Sequence, residues 1–383
     1  MISTKKSLIL SLFLCCLLVP RLTFAALSPS ISAESAIVIE ASTGRVIYEK
    51  NPDRLMHPAS MTKIMTCLLA LERTKMDDVV VIDEEAAGTD YAYLSKGNVI
   101  TMGELLTEMM LESDNGAAVA VAEQMAPSVG DFAEMMTERA HQIGAMHTRF
   151  ANPNGLTQAR HYSTARDMAS IAREAWQIPG FQKIVGQKTH QVKFVNNMGD
   201  AWMAENLNHL LWTYKGMVGI KTGYTDAAGG CLAGAATRDG VTLISVVMNT
   251  EGVPERFNET AKLLDYSFPQ VKLVKGPKRE KLGRTVWVFD GSTYKVSAHP
   301  ASDVKYLLFP GEDKKKYSYA FDMPRFIYAP VQKGDKVGEL VLLYDGKEAG
   351  RIDMIADSSM EKGFSLVAHV IGFYDKILGP FLA

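Results

Sequence analysis

A serine and a lysine three residues apart, Ser60 and Lys63, have the chemistry of a nucleophile with its own base. On a helix such residues share one face, so the hydroxyl and the amine would lie within hydrogen-bond reach. The lysine can accept a proton only when neutral, which burial or a second cation achieves by lowering its pKa. The positive end of the helix dipole would also favour an alkoxide or oxyanion. The same Ser-x-x-Lys spacing also occurs at Ser3, Ser292, Ser302 and Ser359.

Two further triplets contain groups that can move protons or hold an anion. Ser113-Asp114-Asn115 carries a hydroxyl and an amide, and Lys221-Thr222-Gly223 carries a second amine beside a hydroxyl. Taken singly, Ser113 could be a helix N-cap and Lys221 an edge-strand lysine. Their occurrence in this order after Ser60 and Lys63 predicts one site built from three separate segments.

Hydrophobic periodicity indicates which elements position these segments. Alternation over residues 36–48 predicts a hairpin that opens the domain, and a helical stripe begins near Ser60. Further helices are expected near residues 103–111, 115–124, 131–144, 165–175 and 254–265, and strands near 218–221, 231–235 and 241–247. Strands at both ends with helices between them predict an α+β domain whose terminal strands pair in one sheet.

Both ends of the chain differ from this domain, which is expected to span residues 26–268. Lys5 and Lys6 precede an apolar run, which predicts a cleavable signal peptide over residues 1–25 and therefore export. Short β-rich runs predict a small all-β domain over residues 269–357. Residues 358–383 carry an amphipathic helical pattern, interpreted as a membrane anchor. A terminal helix packed on the β domain is the alternative.

The composition excludes several classes of function. Among 383 residues, 41 Lys and Arg stand against 43 Asp and Glu, so the net charge of -2 leaves no basic footprint for nucleic acid. A chain that is 47% hydrophobic and 22% charged is typical of a soluble globular protein. Neither a metal nor another cofactor is expected, because no metal-binding motif occurs, and His57 is interpreted as structural.

With these motifs the chain resembles the serine penicillin-recognising enzymes, which share Ser-x-x-Lys, Ser-x-Asn and Lys-Thr-Gly. Within that group it is similar to the low-molecular-mass D-alanyl-D-alanine carboxypeptidases, penicillin-binding proteins of serine peptidase family S11. The similarity covers residues 33–268 and includes Pro58-Ala59-Ser60-Met61-Thr62-Lys63, Phe150-x-Asn152-Pro153-Asn154-Gly155-Leu156, Tyr162-Ser163-Thr164-Ala165, Asn206-x-Asn208 and Gly219-Ile220-Lys221-Thr222-Gly223-Tyr224-Thr225. It implies the transpeptidase/β-lactamase-like fold followed by a small all-β domain and a C-terminal amphipathic helix.

The resemblance also implies a role for each site residue. Ser60 would be the acylated nucleophile, Lys63 its general base, and Ser113 a proton relay toward the leaving D-alanine. The backbone N–H groups of Ser60 and Tyr224 would form the oxyanion hole. Six residues would bind the substrate: Asn115, Lys221, Thr222, Gly223, Tyr224 and Arg256.

The implied activity is removal of the terminal D-alanine from peptidoglycan pentapeptide stems, with β-lactam antibiotics as covalent inhibitors. The enzyme would act in the periplasm or on the outer face of the cytoplasmic membrane, in cell-wall biogenesis and cell shape. Three alternatives remain: a class A type β-lactamase, a D,D-transpeptidase and a non-catalytic wall-binding scaffold. The first needs a glutamate in the loop at Asn152-Pro153-Asn154-Gly155, which contains none.

Overall fold

The computed structural model describes residues 28–196 and 201–363, together with Leu366 and Val370. The helices and strands given below lie between Ser35 and Ala356. Two hydrophobic cores form, one under the motif-bearing residues and one in the C-terminal part of the chain.

A five-stranded antiparallel sheet supports the motif-bearing part of the chain, in the order β2-β1-β9-β8-β7. Its strands are β1 (Ser35–Glu40), β2 (Val46–Lys50), β7 (Met217–Thr225), β8 (Gly229–Arg238) and β9 (Val241–Thr250). All six residues of β1 are buried, and successive side chains of a strand point to opposite faces. Both faces of the sheet are therefore covered.

Helices fill the chain between β2 and β7 and follow β9. They are α1 (Lys63–Arg73), α2 (Glu84–Ala87), α3 (Met102–Leu111), α4 (Asn115–Met125), α5 (Val129–Ile143), α6 (Ala165–Trp176), α7 (Pro179–Val185), α8 (Leu210–Thr213) and α9 (Glu255–Ser267). Helix α1 packs against α3, α4, α5, α6 and α7, and its first eight residues are all buried. Two small hairpins complete this region: β3 (Val79–Val81) with β4 (Val99–Thr101), and β5 (Thr189–Gln191) with β6 (Met203–Glu205).

Residues 272–363 form strands, loops and short 3-10 turns. The strands are β10 (Lys272–Lys275), β11 (Arg284–Phe289), β12 (Lys295–Pro300), β13 (Lys305–Leu308), β14 (Tyr317–Asp322), β15 (Phe326–Tyr328), β16 (Lys336–Tyr344) and β17 (Lys347–Ala356). Six of them form one sheet in the order β14-β16-β17-β12-β11-β15, and β10 pairs with β13. No helix among the described residues is long and apolar enough to cross a membrane.

The expected α+β domain with paired terminal strands and the all-β domain after it are confirmed. The helix expected to begin near Ser60 is also present: it starts with a 3-10 turn, Ala59–Thr62, and continues as α1 from Lys63. The signal peptide and the amphipathic tail helix fall outside the described residues, apart from Leu366 and Val370. The four domain bounds therefore remain predictions.

Candidate active site

Ser60 lies on a tight 3-10 turn that two glycines press against. The preceding residue, Ala59, has a left-handed backbone with φ 48°, which a non-glycine residue adopts only where its surroundings enforce it. A Cβ on Gly155 would collide with the carbonyl oxygen of Ala59, and one on Gly223 would lie 3.0 Å from that of Pro58. The loop around Gly155 and strand β7 therefore hold the turn that presents Ser60, whose side chain is half-buried.

Lys63 is fully buried at the start of α1, and its amine touches three oxygen atoms. Nζ lies 3.2 Å from Ser60 Oγ, 2.6 Å from Asn115 Oδ1 and 2.7 Å from the carbonyl oxygen of Asn154. Burial lowers the pKa of Lys63 to about 7, although the charge of Asp114 opposes the shift. A substantial fraction of the amine is therefore neutral near pH 7.

The partners of Lys63 also fix the direction of its lone pair. The amide oxygen of Asn115 and the carbonyl oxygen of Asn154 can only accept hydrogen bonds. A neutral amine has two N–H groups, and these two acceptors use both of them. The protonated amine donates to Ser60 Oγ, whereas in the neutral amine the lone pair faces that oxygen and can accept the hydroxyl proton.

Ser113, Asp114 and Asn115 form the turn between α3 and α4. Ser113 is half-buried with a left-handed φ of 69°. The N-cap of α4 is Asp114 rather than Ser113, since Asp114 Oδ1 accepts the N–H of Ala117 at 3.1 Å. Asn115 Nδ2 donates to the carbonyl oxygen of Asp90, which leaves Oδ1 on Lys63. The turn thus brings Asn115 directly to the Ser60–Lys63 pair.

The Lys221-Thr222-Gly223 motif lies in the middle of β7, and Arg256 of α9 contacts it. Lys221 and Thr222 are buried, at 1% and 4% exposure, whereas Tyr224 is half exposed and its hydroxyl donates to Asp226 Oδ1 at 3.1 Å. Arg256 of α9 donates from Nη1 to the carbonyl oxygen of Gly223 at 3.1 Å. The structure therefore places Arg256 at this motif, as a support for the β7 backbone.

Three basic side chains and one buried acid share this region. Burial lowers the pKa of Lys221 well below its ordinary value, and the charges of Lys63 and Arg256 lower it further, whereas Glu108 opposes the shift. Glu108 lies on α3 and is fully buried, and burial raises its pKa to about 9. Neither of its carboxyl oxygens has a hydrogen-bond partner among the described residues. Glu108 is therefore largely protonated at neutral pH, and it opposes the shift at Lys221 only in its ionised form.

Sequence reasoning missed Asn154 as a partner of Lys63, and it missed His161. His161 Nδ1 accepts the N–H of Ala151 at 3.2 Å, so its proton is on Nε2 and is donated to Thr62 Oγ1 at 2.8 Å. Burial lowers its pKa to about 4, which keeps the ring neutral. His57 Nδ1 donates to the carbonyl oxygen of His161, in agreement with a structural role. No cluster of metal-binding side chains occurs in the described part of the chain.

Residues 22–252 match the D-alanyl-D-alanine carboxypeptidase family, and residues 270–362 match the C-terminal domain of penicillin-binding protein 5. The chain belongs to the D-alanyl-D-alanine carboxypeptidase family. Members are serine hydrolases that work through an acyl-enzyme and bind β-lactams.

Relatives resemble the chain over most of its length. The D-alanyl-D-alanine carboxypeptidase DacF of Bacillus subtilis is 35% identical, with 86% of each chain covered. DacA of Escherichia coli is 31% identical over 88% of this chain and 85% of its own. Penicillin-binding protein 5 of Haemophilus influenzae has a structure that superposes with a TM-score of 0.64 at 28% identity, covering 88% of this chain and 99% of its own. The structure of penicillin-binding protein 3 of Streptococcus pneumoniae superposes with a TM-score of 0.73 at 26% identity, covering 87% of this chain and 100% of its own.

Proposed function

We propose that this chain removes the terminal D-alanine from peptidoglycan pentapeptide stems through an acyl-enzyme on Ser60. The observation that carries the proposal is the fully buried amine of Lys63, 3.2 Å from Ser60 Oγ, with both N–H groups of its neutral form engaged elsewhere. The fold and the family comparisons support the same reaction class.

Acylation transfers the hydroxyl proton of Ser60 to the lone pair of Lys63 while Oγ forms a bond to the penultimate carbonyl carbon. The oxyanion is bound by the backbone N–H groups of Ser60 and Tyr224. Ser113 relays the proton held by Lys63 to the departing amine of D-alanine as the peptide bond breaks, so that Lys63 is neutral again in the acyl-enzyme. Water then attacks the ester, which releases the shortened stem and returns the proton to Ser60.

The remaining site residues hold the substrate. Asn115 carries the peptide carbonyl, because its side chain is fixed by Asp90 and Lys63. Lys221 and Thr222 present an amine and a hydroxyl to the terminal carboxylate, and the backbone of Gly223, which lies against the Ser60 turn, borders the substrate. Arg256 contributes positive charge behind the strand while it supports the Gly223 carbonyl.

The same geometry disfavours efficient hydrolysis of β-lactams. Loop residues Asn152–Gly155 carry no glutamate, and the Asn154 carbonyl is occupied by Lys63, so they offer no carboxylate base for the deacylating water. β-Lactams therefore act as slowly released covalent inhibitors. Structures of a Streptomyces K15 DD-transpeptidase match 63% of the chain at 30% identity with a TM-score of 0.61, so a transpeptidase is the second candidate.

The enzyme is placed on the outer side of the cytoplasmic membrane by two terminal segments. Residues 1–25 act as a cleaved signal peptide, and the tail predicted over residues 358–383 attaches the mature chain to the membrane surface. Its first part, residues 358–363, pairs with the β domain, so the amphipathic helix follows these residues. Between them lie the catalytic domain, residues 26–268, and the β domain, residues 269–357. The apolar Leu366 and Val370, one helical turn apart and both exposed, support this role of the tail.

Intact-mass analysis of the purified mature chain with excess penicillin, followed by a D-alanine assay on a D-alanyl-D-alanine pentapeptide, tests the function. The expected result is one covalent adduct and release of D-alanine, both lost in Ser60→Ala. An adduct without D-alanine release, but with transfer to an added amine, identifies a transpeptidase instead. Rapid turnover of penicillin would indicate a β-lactamase, and no adduct at all would indicate a scaffold.

A further inference from the structure

Aromatic side chains collect on the outer face of the β domain at one edge of its six-stranded sheet. In β11, Val286 and Val288 point into the core, so Trp287 and Phe289 point outward. The edge strand β15 runs parallel to β11, with Phe326 opposite Trp287 and Tyr328 opposite Phe289. The register therefore puts four aromatic rings on one outward face.

These rings pack against one another and remain accessible. Trp287 stacks on Tyr294 with ring centroids 5.6 Å apart, and Phe289 packs on Tyr328 at 5.7 Å. Tyr328 is 71% exposed and Trp287 is 36% exposed. We call Trp287, Phe289, Tyr294, Phe326 and Tyr328 the aromatic patch.

The rest of the outer face differs sharply from the aromatic patch. On β16 and β17 it carries ion pairs, with Lys336 Nζ 2.8 Å from Asp353 Oδ1 and Arg351 Nη2 2.8 Å from Glu348 Oε2. An isolated exposed aromatic residue is ordinary on a protein surface, whereas a contiguous cluster at one edge marks an interaction site. The aromatic patch is thus a local feature of the β11–β15 edge.

The C-terminal tail leaves the fold beside the aromatic patch. Lys362 pairs with Gly291 in the loop between β11 and β12, and the N–H of Gly363 donates to the carbonyl oxygen of Asp290 at 2.9 Å. Beyond that point Leu366 and Val370 are 67% and 53% exposed, although both are apolar. Exposed apolar side chains of the tail therefore begin within a few residues of the aromatic patch.

We propose that the aromatic patch is a second membrane contact, which rests on the lipid surface beside the tail. Tryptophan and tyrosine favour the membrane–water interface, where the ring meets apolar chains and the polar end stays hydrated. Lys295, exposed opposite Trp287 and with Nζ 5.4 Å from the Tyr294 ring centroid, supplies a cation for lipid phosphates. A weak single anchor becomes firm when a second contact is added, because the second binds at high effective concentration. The inference rests on the proposed placement of the enzyme outside the cytoplasm.

Flotation of the purified mature chain with vesicles of phosphatidylethanolamine and phosphatidylglycerol tests this contact. The double variant Trp287→Ser, Tyr328→Ser should lower the partition coefficient roughly five- to tenfold, from the lost interfacial burial of two rings. The matched control is Tyr319→Ser, whose ring is 43% exposed on β14 at the opposite edge of the sheet. It should leave partition unchanged, and release of D-alanine from a soluble peptide should be equal in all three proteins.

Fluorescence gives a second readout that loss of stability would not imitate. The chain has four tryptophans, and bromine-labelled lipids should quench the parent chain more than Trp287→Phe. The proposal would be overturned if quenching were equal in the parent and Trp287→Phe and the double variant partitioned like the parent. If only the variant Leu366→Ser, Val370→Ser lost vesicle binding, the tail alone would bind the membrane, which would also overturn it. Unchanged lipid binding with weaker binding to insoluble peptidoglycan would show that the aromatic patch is a glycan contact and would also overturn it. Failure of the parent to bind vesicles while D-alanine is still released would reject the membrane placement but not the enzyme.

Discussion

At the scale of single residues, the buried amine of Lys63 sets how the nucleophile responds to pH. Its pKa is about 7, and the base is the unprotonated form. The rate of acylation of Ser60 should therefore be low at pH 5, rise through pH 7 and level off above it. Rapid-mixing measurements with a chromogenic cephalosporin across pH 5 to 9 check this profile. A rate independent of pH would contradict Lys63 as the base.

The conservative variant Lys63→Arg separates charge from basicity. Arginine keeps the positive charge but cannot lose its proton in this range, so acylation should fall by about a thousandfold or more. The same stopped-flow assay measures it, and intact mass confirms whether any adduct forms. Normal acylation of this variant would show that another group takes the proton.

Glu108 should make the stability of the protein depend on pH. Its pKa in the folded state, about 9, lies above the ordinary value of 4.5, so the folded state binds this proton more tightly than the unfolded state. The contribution of Glu108 to the free energy of unfolding is therefore complete below pH 4.5 and is lost as the pH rises through 9. Glu108→Gln keeps the shape and removes the titration. Between pH 5 and pH 8.5, the free energy of unfolding measured in urea should decrease more for the parent than for this variant. Equal decreases would contradict the assignment.

The sequence predicted the motif residues but not all of their partners. Ser60, Lys63 and the two triplets are found because their spacing is local. Asn154, His161 and Glu108 reach the same region through folding of distant segments, and only their residue types were visible beforehand. Nothing in a helical stripe shows that a glutamate on α3 is fully buried and interacts with Lys221.

At the scale of elements, the loop at Gly155 is what keeps the Ser60 turn in place. Gly155 has φ 94°, and a Cβ there would collide with the Ala59 carbonyl. Gly155→Ala should lower the free energy of unfolding by about 2 to 4 kcal/mol and slow acylation by roughly a hundredfold. Chemical denaturation and the chromogenic assay measure the two effects.

Gly144 offers a matched control for that change. Its φ is 92°, yet a Cβ there would meet nothing within 4 Å. Gly144→Ala should therefore cost only about 1 kcal/mol from backbone strain and leave acylation unaffected. Equal effects of the two variants would show that strain, and not contact with the Ser60 turn, explains the loss at Gly155.

Periodicity predicted the principal helices and the sheet strands because each is long or strongly alternating. It predicted a helix beginning near Ser60, and the structure begins that helix with a 3-10 turn, Ala59–Thr62, before α1. A local pattern does not show the close approach of β7 and the Asn152–Gly155 loop to this turn. The short hairpins β3–β4 and β5–β6 were missed for the opposite reason, since three residues give too little pattern.

At the scale of the whole molecule, Arg45 joins the catalytic part to the all-β domain. Arg45, in the turn before β2, pairs with Glu312 at 2.6 Å and lies over the ring of Phe309, 3.7 Å from its centroid. Beside them a cavity of about 1100 Å³ separates the two parts. Arg45 therefore links the two parts of the molecule through a charged and a cation–π contact.

Arg45→Ala should loosen this interface without altering the active site. Cleavage by thermolysin near residues 268–272 should become roughly two- to fivefold faster, while acylation by penicillin stays the same. The control is Arg54→Ala, which breaks an exposed pair with Glu34 at 2.8 Å within the catalytic part. Equal cleavage of both variants would show that Arg45 does not restrain the domains.

The contact between Lys63 and the carbonyl oxygen of Asn154 has an evolutionary consequence. Because that acceptor belongs to the main chain, no codon change at position 154 can delete it. Selection by antibiotics can therefore retune the base through Asn115 or the loop path, but not by a simple substitution at Asn154. Substitutions that change the surroundings of Lys63 and so confer resistance are therefore limited to positions that the enzyme also needs for its reaction with peptidoglycan.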